Sequence, residues 1–209
     1  MFITFEGIEG SGKTTQIRHL AEFLQDRGCD CVLTREPGGT EIGKKIRAIL
    51  LDPENKGMDS LTELLLYTAD RIQHIKSVIK PCLSQGKTVL CDRYADATIA
   101  YQGFARGLDT EVIRRVHEQI LKIVKPDLTI LLDLPPEIGL SRAWKQIRSG
   151  ARTGQESRFE QELLAFHEKV RGGYLEIARR EPERFRVIDA SQNENRVRAE
   201  IINTVITRV

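Results

Sequence analysis

Gly7-Ile8-Glu9-Gly10-Ser11-Gly12-Lys13-Thr14 fits the phosphate-binding pattern G-x-x-x-x-G-K-[ST]. The apolar run from Phe2 to Glu6 precedes it and a helical stretch from Lys13 to Arg27 follows, which is the strand and helix context the motif requires. Glycines there let the backbone wrap an anion, so that successive N–H groups and the helix N-terminus face phosphate oxygens. Gly7 to Thr14, together with Thr15, are therefore expected to hold the phosphates of a nucleoside triphosphate. Lys13 would meet the β and γ phosphates, and the Thr14 hydroxyl would ligate Mg²⁺.

Working outward, short apolar runs alternate with long amphipathic stretches, the pattern of strand, crossover helix and parallel strand. The expected strands are Phe2 to Glu6, Cys31 to Arg35, Thr88 to Asp92, Leu128 to Asp133 and Phe185 to Asp189. The expected helices are Lys13 to Arg27, Glu41 to Leu51, Ser60 to Gln85, Thr110 to Ile123, Pro135 to Arg148, Arg158 to Arg180 and Asn193 to Thr207. This predicts an α/β fold with a doubly wound, five-stranded parallel sheet and helices on both faces. In such sheets ligands lie beyond the carboxyl ends of the strands, so Glu6, Arg35, Asp92 and Asp133 point to one functional edge. Ser149 to Ser157 is small and polar between two helices and reads as a loop that can act as a lid.

The 209 residues suit one domain, and 40% hydrophobic with 30% charged residues is ordinary for a globular protein. Lysine plus arginine (32) nearly balances the acids (30), so no global field draws the chain to nucleic acid or an anionic membrane. No apolar run approaches the ~20 residues of a membrane span. The start turns polar too soon for a signal peptide, so a cytoplasmic protein is expected. Cys29, Cys31, Cys82 and Cys91 lack zinc-ligand spacing, and the four histidines are scattered over separate helices, so neither group is given chemistry.

Two further segments join the phosphate loop. Thr88 to Tyr94 is a buried strand delivering Asp92 to the same edge, where it can hold a metal, while Arg93 can neutralise phosphoryl charge. Thr34-Arg35-Glu36-Pro37-Gly38-Gly39-Thr40 leads into the helix carrying Arg47. Guanidinium forks suit a phosphate monoester, so Arg35 and Arg93 suggest an acceptor that is already phosphorylated.

With these residues in view the chain resembles thymidylate kinase of the bacterial form, nearly end to end. The resemblance is carried by Phe5 to Thr15, Thr34 to Thr40, Asp92-Arg93-Tyr94 and Ala100-Tyr101-Gln102-Gly103. It implies the fold of the P-loop nucleoside monophosphate kinases and transfer of the γ-phosphoryl group of ATP to dTMP with Mg²⁺, in the supply of dTTP. It also implies a homodimer. By the family motifs, Tyr67 stacks on thymine, Arg71 reaches a base carbonyl, Thr98 and Gln102 bond the pyrimidine edge, and Tyr101 crowds the sugar. Arg35, Pro37, Arg47 and Arg93 fall in the acceptor region, Glu9 near the sugar 3′-hydroxyl, Asp92 beside the metal, and Ala190-Ser191 beside the donor adenine.

The loop has Glu9-Gly10-Ser11 where the eukaryotic form carries an arginine, so the resemblance places that charge on the lid, with Arg148, Arg152 and Arg158 as candidates. The resulting layout is one kinase domain over 1–209, with the P-loop at 7–14, an acceptor region at about 35–103 and a lid at about 148–158. The alternatives are another P-loop nucleotide or deoxynucleoside kinase, a GTPase-type switch, or an inert nucleotide-binding module. Asn55-Lys56-Gly57-Met58 comes early and lacks the aspartate of a guanine-reading motif. Lys13, Thr14, Asp92 and Arg93 are all present, which speaks against an inert module.

Overall fold

The computed structural model describes residues 1–121, 124–151 and 153–207. Five strands, β1 (Phe2–Glu6), β2 (Cys31–Arg35), β3 (Thr88–Asp92), β4 (Leu128–Asp133) and β5 (Phe185–Asp189), form one parallel sheet in the order β2-β3-β1-β4-β5. Their bounds are those read from the sequence. β1 is buried along its whole length and β4 over all but its last residue, as dense apolar runs covered on both faces must be. The register sets Phe5 beside Asp92, Arg35 beside Asp92 and Glu6 beside Leu131, so the carboxyl ends of β2, β3, β1 and β4 open on one edge.

The helices are α1 (Lys13–Gln25), α2 (Glu41–Leu51), α3 (Ser60–His74), α4 (Lys80–Ser84), α5 (Ala95–Thr98), α6 (Thr110–Leu121), α7 (Pro136–Arg148), α8 (Leu164–Arg180) and α9 (Glu194–Ile206). Thr40 caps α2 by accepting from the Gly43 N–H, and Asp59 caps α3 by accepting from Leu61 and Thr62. The stretch read as one helix from Ser60 to Gln85 runs from α3 through a π-helical turn, Ile75–Ile79, into α4. Pro81 has no N–H to donate, and the wider turn just before it absorbs that defect.

Two expectations are corrected. The sequence gives no separate helix after β3, yet α5 continues into a π-helix, Ile99–Ala105, that packs against α8. The contact is close: a Cβ on Gly173 would stand 2.9 Å from the Phe104 ring. The second correction concerns α8, which begins at Leu164 and not at Arg158. Residues 158–161 form turns because Arg158, Phe159 and Glu160 turn inward and are buried, which pulls the chain off a helical path.

Candidate functional site

A cavity of about 490 Å³ opens at the carboxyl edge of the sheet. The phosphate loop forms one end, with Glu9, Gly10, Gly12, Lys13, Thr14 and Thr15 on its wall. Gly10, at φ 70°, lies against the backbone of Gly139 at the start of α7, where a Cβ would overlap the Gly139 carbonyl oxygen. Only glycine serves there. Lys13 folds over its own loop, donating from Nζ to Gly7 O (2.9 Å), Ile8 O (2.7 Å) and Ser11 Oγ (3.2 Å). Burial, reinforced by the nearby Arg93 charge, pushes the Lys13 ammonium down to about 8.

Thr14 Oγ1 donates to Asp92 Oδ2 at 2.9 Å, so the hydroxyl and the carboxylate from two separate elements meet on the cavity wall. No group of three or more His, Cys, Asp or Glu that could hold a metal occurs among the described residues. One hydroxyl and one carboxylate are nevertheless a donor set suited to Mg²⁺, which keeps its waters and takes phosphate oxygens as further ligands.

Arg93 adopts φ 65°, unusual for a residue with a side chain. That turn swings its guanidinium back over β1. Its Nη1 donates to Gly7 O (2.9 Å) and the Tyr174 hydroxyl (3.1 Å), and its Nη2 to Glu9 Oε1 (2.9 Å). Glu9 Oε1 also accepts from the Tyr101 hydroxyl at 2.6 Å, and His167 Nδ1 lies 3.2 Å from Glu9 Oε2. Burial alone would raise the Glu9 carboxyl. Arg93, ahead of His167 and Lys13, overrides it and holds the group far below the usual carboxylate range. Beneath the loop, Glu6 accepts from Tyr94 N–H and the Tyr174 hydroxyl, both at 2.7 Å, and its burial, with Asp96 nearby, pushes it up to about 8.

Away from the loop the wall is built of arginines. Arg35 reaches the cavity from the end of β2, and no described residue pairs with it. Pro37, after a cis Glu36–Pro37 bond, lends its carbonyl to Arg47 Nη1 at 3.1 Å. Arg47 is also bound by Glu156, Nε to Oε1 at 3.1 Å and Nη2 to Oε2 at 2.8 Å. Arg71 is 1% exposed. It donates to Glu36 (2.8 Å), Tyr94 O (3.0 Å) and Thr98 Oγ1 (3.0 Å). Its Nη1 also meets His117 Nε2 at 3.0 Å. His117, pushed down to about 3 by burial and the Arg71 charge, is neutral and accepts that bond. Tyr67, Arg71, Thr98, Tyr101 and Gln102 all line this same cavity.

The remaining candidates separate. Arg158 is 2% exposed and donates from Nε to Leu50 O (2.5 Å) and from Nη2 to Glu63 Oε2 (2.5 Å). A guanidinium held on both sides in the interior is not on the cavity wall in this structure, unlike its neighbours Phe159 and Glu160. Arg148 is exposed in the last turn of α7, off the cavity wall. Arg152 lies outside the described residues. Ala190 and Ser191 follow β5, with Ala190 O accepting from Arg142 at 3.1 Å, also off this cavity. Sequence reasoning gave no role to Glu36, Glu63, Glu156, His167 or Tyr174. Glu36 sat inside a quoted motif; the others belong to helices or loops whose inward faces the pattern does not mark.

A family model described as thymidylate kinase matches residues 5–201. The chain is 58% identical over 190 residues to the thymidylate kinase of Desulfosudis oleivorans, covering 91% of this chain and 89% of that one. It is 56% identical over 209 residues to that of Desulforapulum autotrophicum, covering 100% and 92%. Among solved structures, the thymidylate kinase of Ehrlichia chaffeensis superposes with a TM-score of 0.77 at 38% identity, covering 98% of each chain.

Proposed function

The chain belongs to the thymidylate kinase family, and we propose on that premise that it transfers the γ-phosphoryl group of ATP to dTMP, giving ADP and dTDP. The observation that carries the reading is one cavity lined both by the phosphate loop and by Arg35, Arg47, Arg93, Tyr67, Arg71, Thr98 and Gln102. An oxygen of the dTMP phosphate bonds to the γ-phosphorus as the bond to the β,γ-bridging oxygen breaks, and the electron pair leaves with ADP. Such a transfer depends on positioning and charge neutralisation, and these residues supply both.

In this reading Gly7 to Thr15 cradle the ATP phosphates, with Lys13 released from its own loop carbonyls onto the β and γ oxygens. Arg35, Arg47 and Arg93 hold the acceptor phosphate. Tyr67 lies on the thymine ring, and Thr98 and Gln102 bond its edge beside Arg71. Tyr101, anchored by Glu9, crowds the ribose 2′ position, and Glu9 stands near the 3′-hydroxyl. When bound, Mg²⁺ would neutralise charge on the β and γ oxygens, with Thr14 and Asp92 as its protein ligands. Ala190 and Ser191 border the donor adenine, Arg148 and Arg152 supply lid charge, and residues 148–158 act as the lid of a single kinase domain. With purified protein, ATP and Mg²⁺, dTMP is expected to be phosphorylated far faster than dCMP, dGMP or AMP. Equal rates in a coupled ADP-release assay would reject the assignment.

Glu156 occupies Arg47 as a phosphate would. Glu156→Gln is expected to free that guanidinium and lower the KM for dTMP roughly 2- to 10-fold, leaving the KM for ATP within twofold. An unchanged dTMP KM would show that the pair does not compete with substrate.

A homodimer is part of the proposal: Ile42 and Ile49 on α2 and Leu61, Leu65 and Ile72 on α3 leave large apolar side chains exposed on two helices packed together. Sedimentation equilibrium is expected to give twice the chain mass, and a monomer at micromolar concentration would refute it. No described helix is long and apolar enough to cross a membrane. A cytoplasmic location is part of the proposal.

A further inference from the structure

Glu63 lies at the first turn of α3, 0% exposed, behind the cavity wall. Its Oε2 accepts from Arg158 Nη2 at 2.5 Å, and its Oε1 accepts from Gln102 Nε2 at 2.6 Å. Arg106 adds longer contacts, Nε to Oε1 and Nη2 to Oε2, both at 3.4 Å. A guanidinium only donates, so both Glu63 oxygens are acceptors. An amide has a donating end and an accepting end, and an acceptor behind it leaves a single orientation: nitrogen toward Glu63, oxygen away. Gln102 is 1% exposed but lines the cavity, and no described residue donates to its Oε1. The amide oxygen is thus the end left for a ligand.

We propose that Glu63 is a specificity-determining positioning residue, which locks the Gln102 amide so that the cavity presents a hydrogen-bond acceptor and selects a pyrimidine carrying an N3–H. This rests on the reading that the acceptor base lies against Gln102. Thymine and uracil carry that N–H. Cytosine has a bare N3 lone pair, which would face the amide oxygen and leave two acceptors opposed. Arg158 and Arg106 hold Glu63 in place from the far side, so the lock is built from the same ion pairs that anchor the lid's base. Discrimination against cytosine is therefore set one residue behind the surface the base touches, and it does not extend to dTMP against dUMP.

The test is the ratio of kcat/KM for dTMP to that for dCMP, a quantity that a general loss of stability does not move. In Glu63→Gln the carboxylate becomes an amide of the same shape that can donate or accept, so Gln102 is free to turn. The ratio is expected to fall on the order of 10- to 100-fold, with dCMP gaining in absolute kcat/KM. Equal losses for the two acceptors would make Glu63 a structural residue and overturn the proposal. Should that variant not fold, Gln102→Leu leaves the Glu63 ion pairs in place, and an undiminished ratio there overturns the proposal equally. Wild-type protein separates the two levels: no preference for dTMP over dCMP in wild type rejects the kinase reading itself, whereas a strong preference that survives in the variants rejects only the lock.

Discussion

Lys13→Ala is expected to lower kcat on the order of 10²- to 10³-fold while the protein stays folded, because the charge removed is the one that a phosphate loop aims at the transferring group. The fold bears that charge at a cost. Lys13 is 7% exposed, and its ammonium is brought down to about 8 by burial and by Arg93. Between about pH 8 and the ordinary lysine range the unfolded chain keeps a proton that the folded, ligand-free protein has released. Stability of the ligand-free enzyme therefore rises with pH across that window, contributing about 2–3 kcal/mol. The alanine variant loses this slope, so melting curves from pH 7.5 to 10 should converge at high pH, with the variant more stable at the low end. Glu6, pushed up to about 8, contributes the opposite slope below that point, so the two proteins are compared above it. Bound phosphates favour charged lysine. Calorimetry near pH 8.5 should accordingly show proton uptake when ATP binds wild type and less in the variant. Equal uptake in both would place the titrating group elsewhere.

The strands and the phosphate loop were legible because their signals are local. Fully buried parallel strands are dense in apolar residues, and Phe2 to Glu6 or Leu128 to Asp133 admit few other readings. The functional edge followed from polar residues at strand ends. What was not legible was set by partners distant in sequence. Ala95 to Ala105 carries no helical punctuation of its own, and its π-helical path is fixed by packing on α8 some seventy residues later. The resemblance groups Arg158 with the lid arginines, yet in the fold its side chain is held by Glu63 and the Leu50 carbonyl. The grip of Glu156 on Arg47 spans 109 residues and leaves no periodic trace. A motif names the residue types a site uses, and only the assembled fold says which way each side chain turns.

Arg93→Ala is expected to be the more damaging of the two changes, because it removes the proposed contact to the acceptor phosphate and a buried counterion together. The guanidinium spans the Gly7 carbonyl, the Tyr174 hydroxyl and Glu9, with its carbon 5.0 Å from the Tyr101 ring centroid. Without it, kcat should fall about 10³-fold or more. Glu9, 8% exposed, would lose its strongest counterion, and breaking a buried pair from one side costs about 3–5 kcal/mol. The two losses have separate signatures. Burial then dominates Glu9, its carboxyl rises, and kcat/KM for dTMP should acquire an acid limb absent from wild type, whose depressed carboxyl stays ionised through the neutral range. Arg93→Lys should restore part of the stability and little of the rate, since one ammonium cannot reach three acceptors arranged for a fork. Arg93→Gly supplies the control for the backbone: at φ 65° glycine should be about 1 kcal/mol more stable than alanine while equally inactive. If alanine and glycine melt together, the left-handed turn is unstrained and the whole stability loss belongs to Glu9; if the lysine variant turns over at near wild-type rate, the fork is not what the reaction uses.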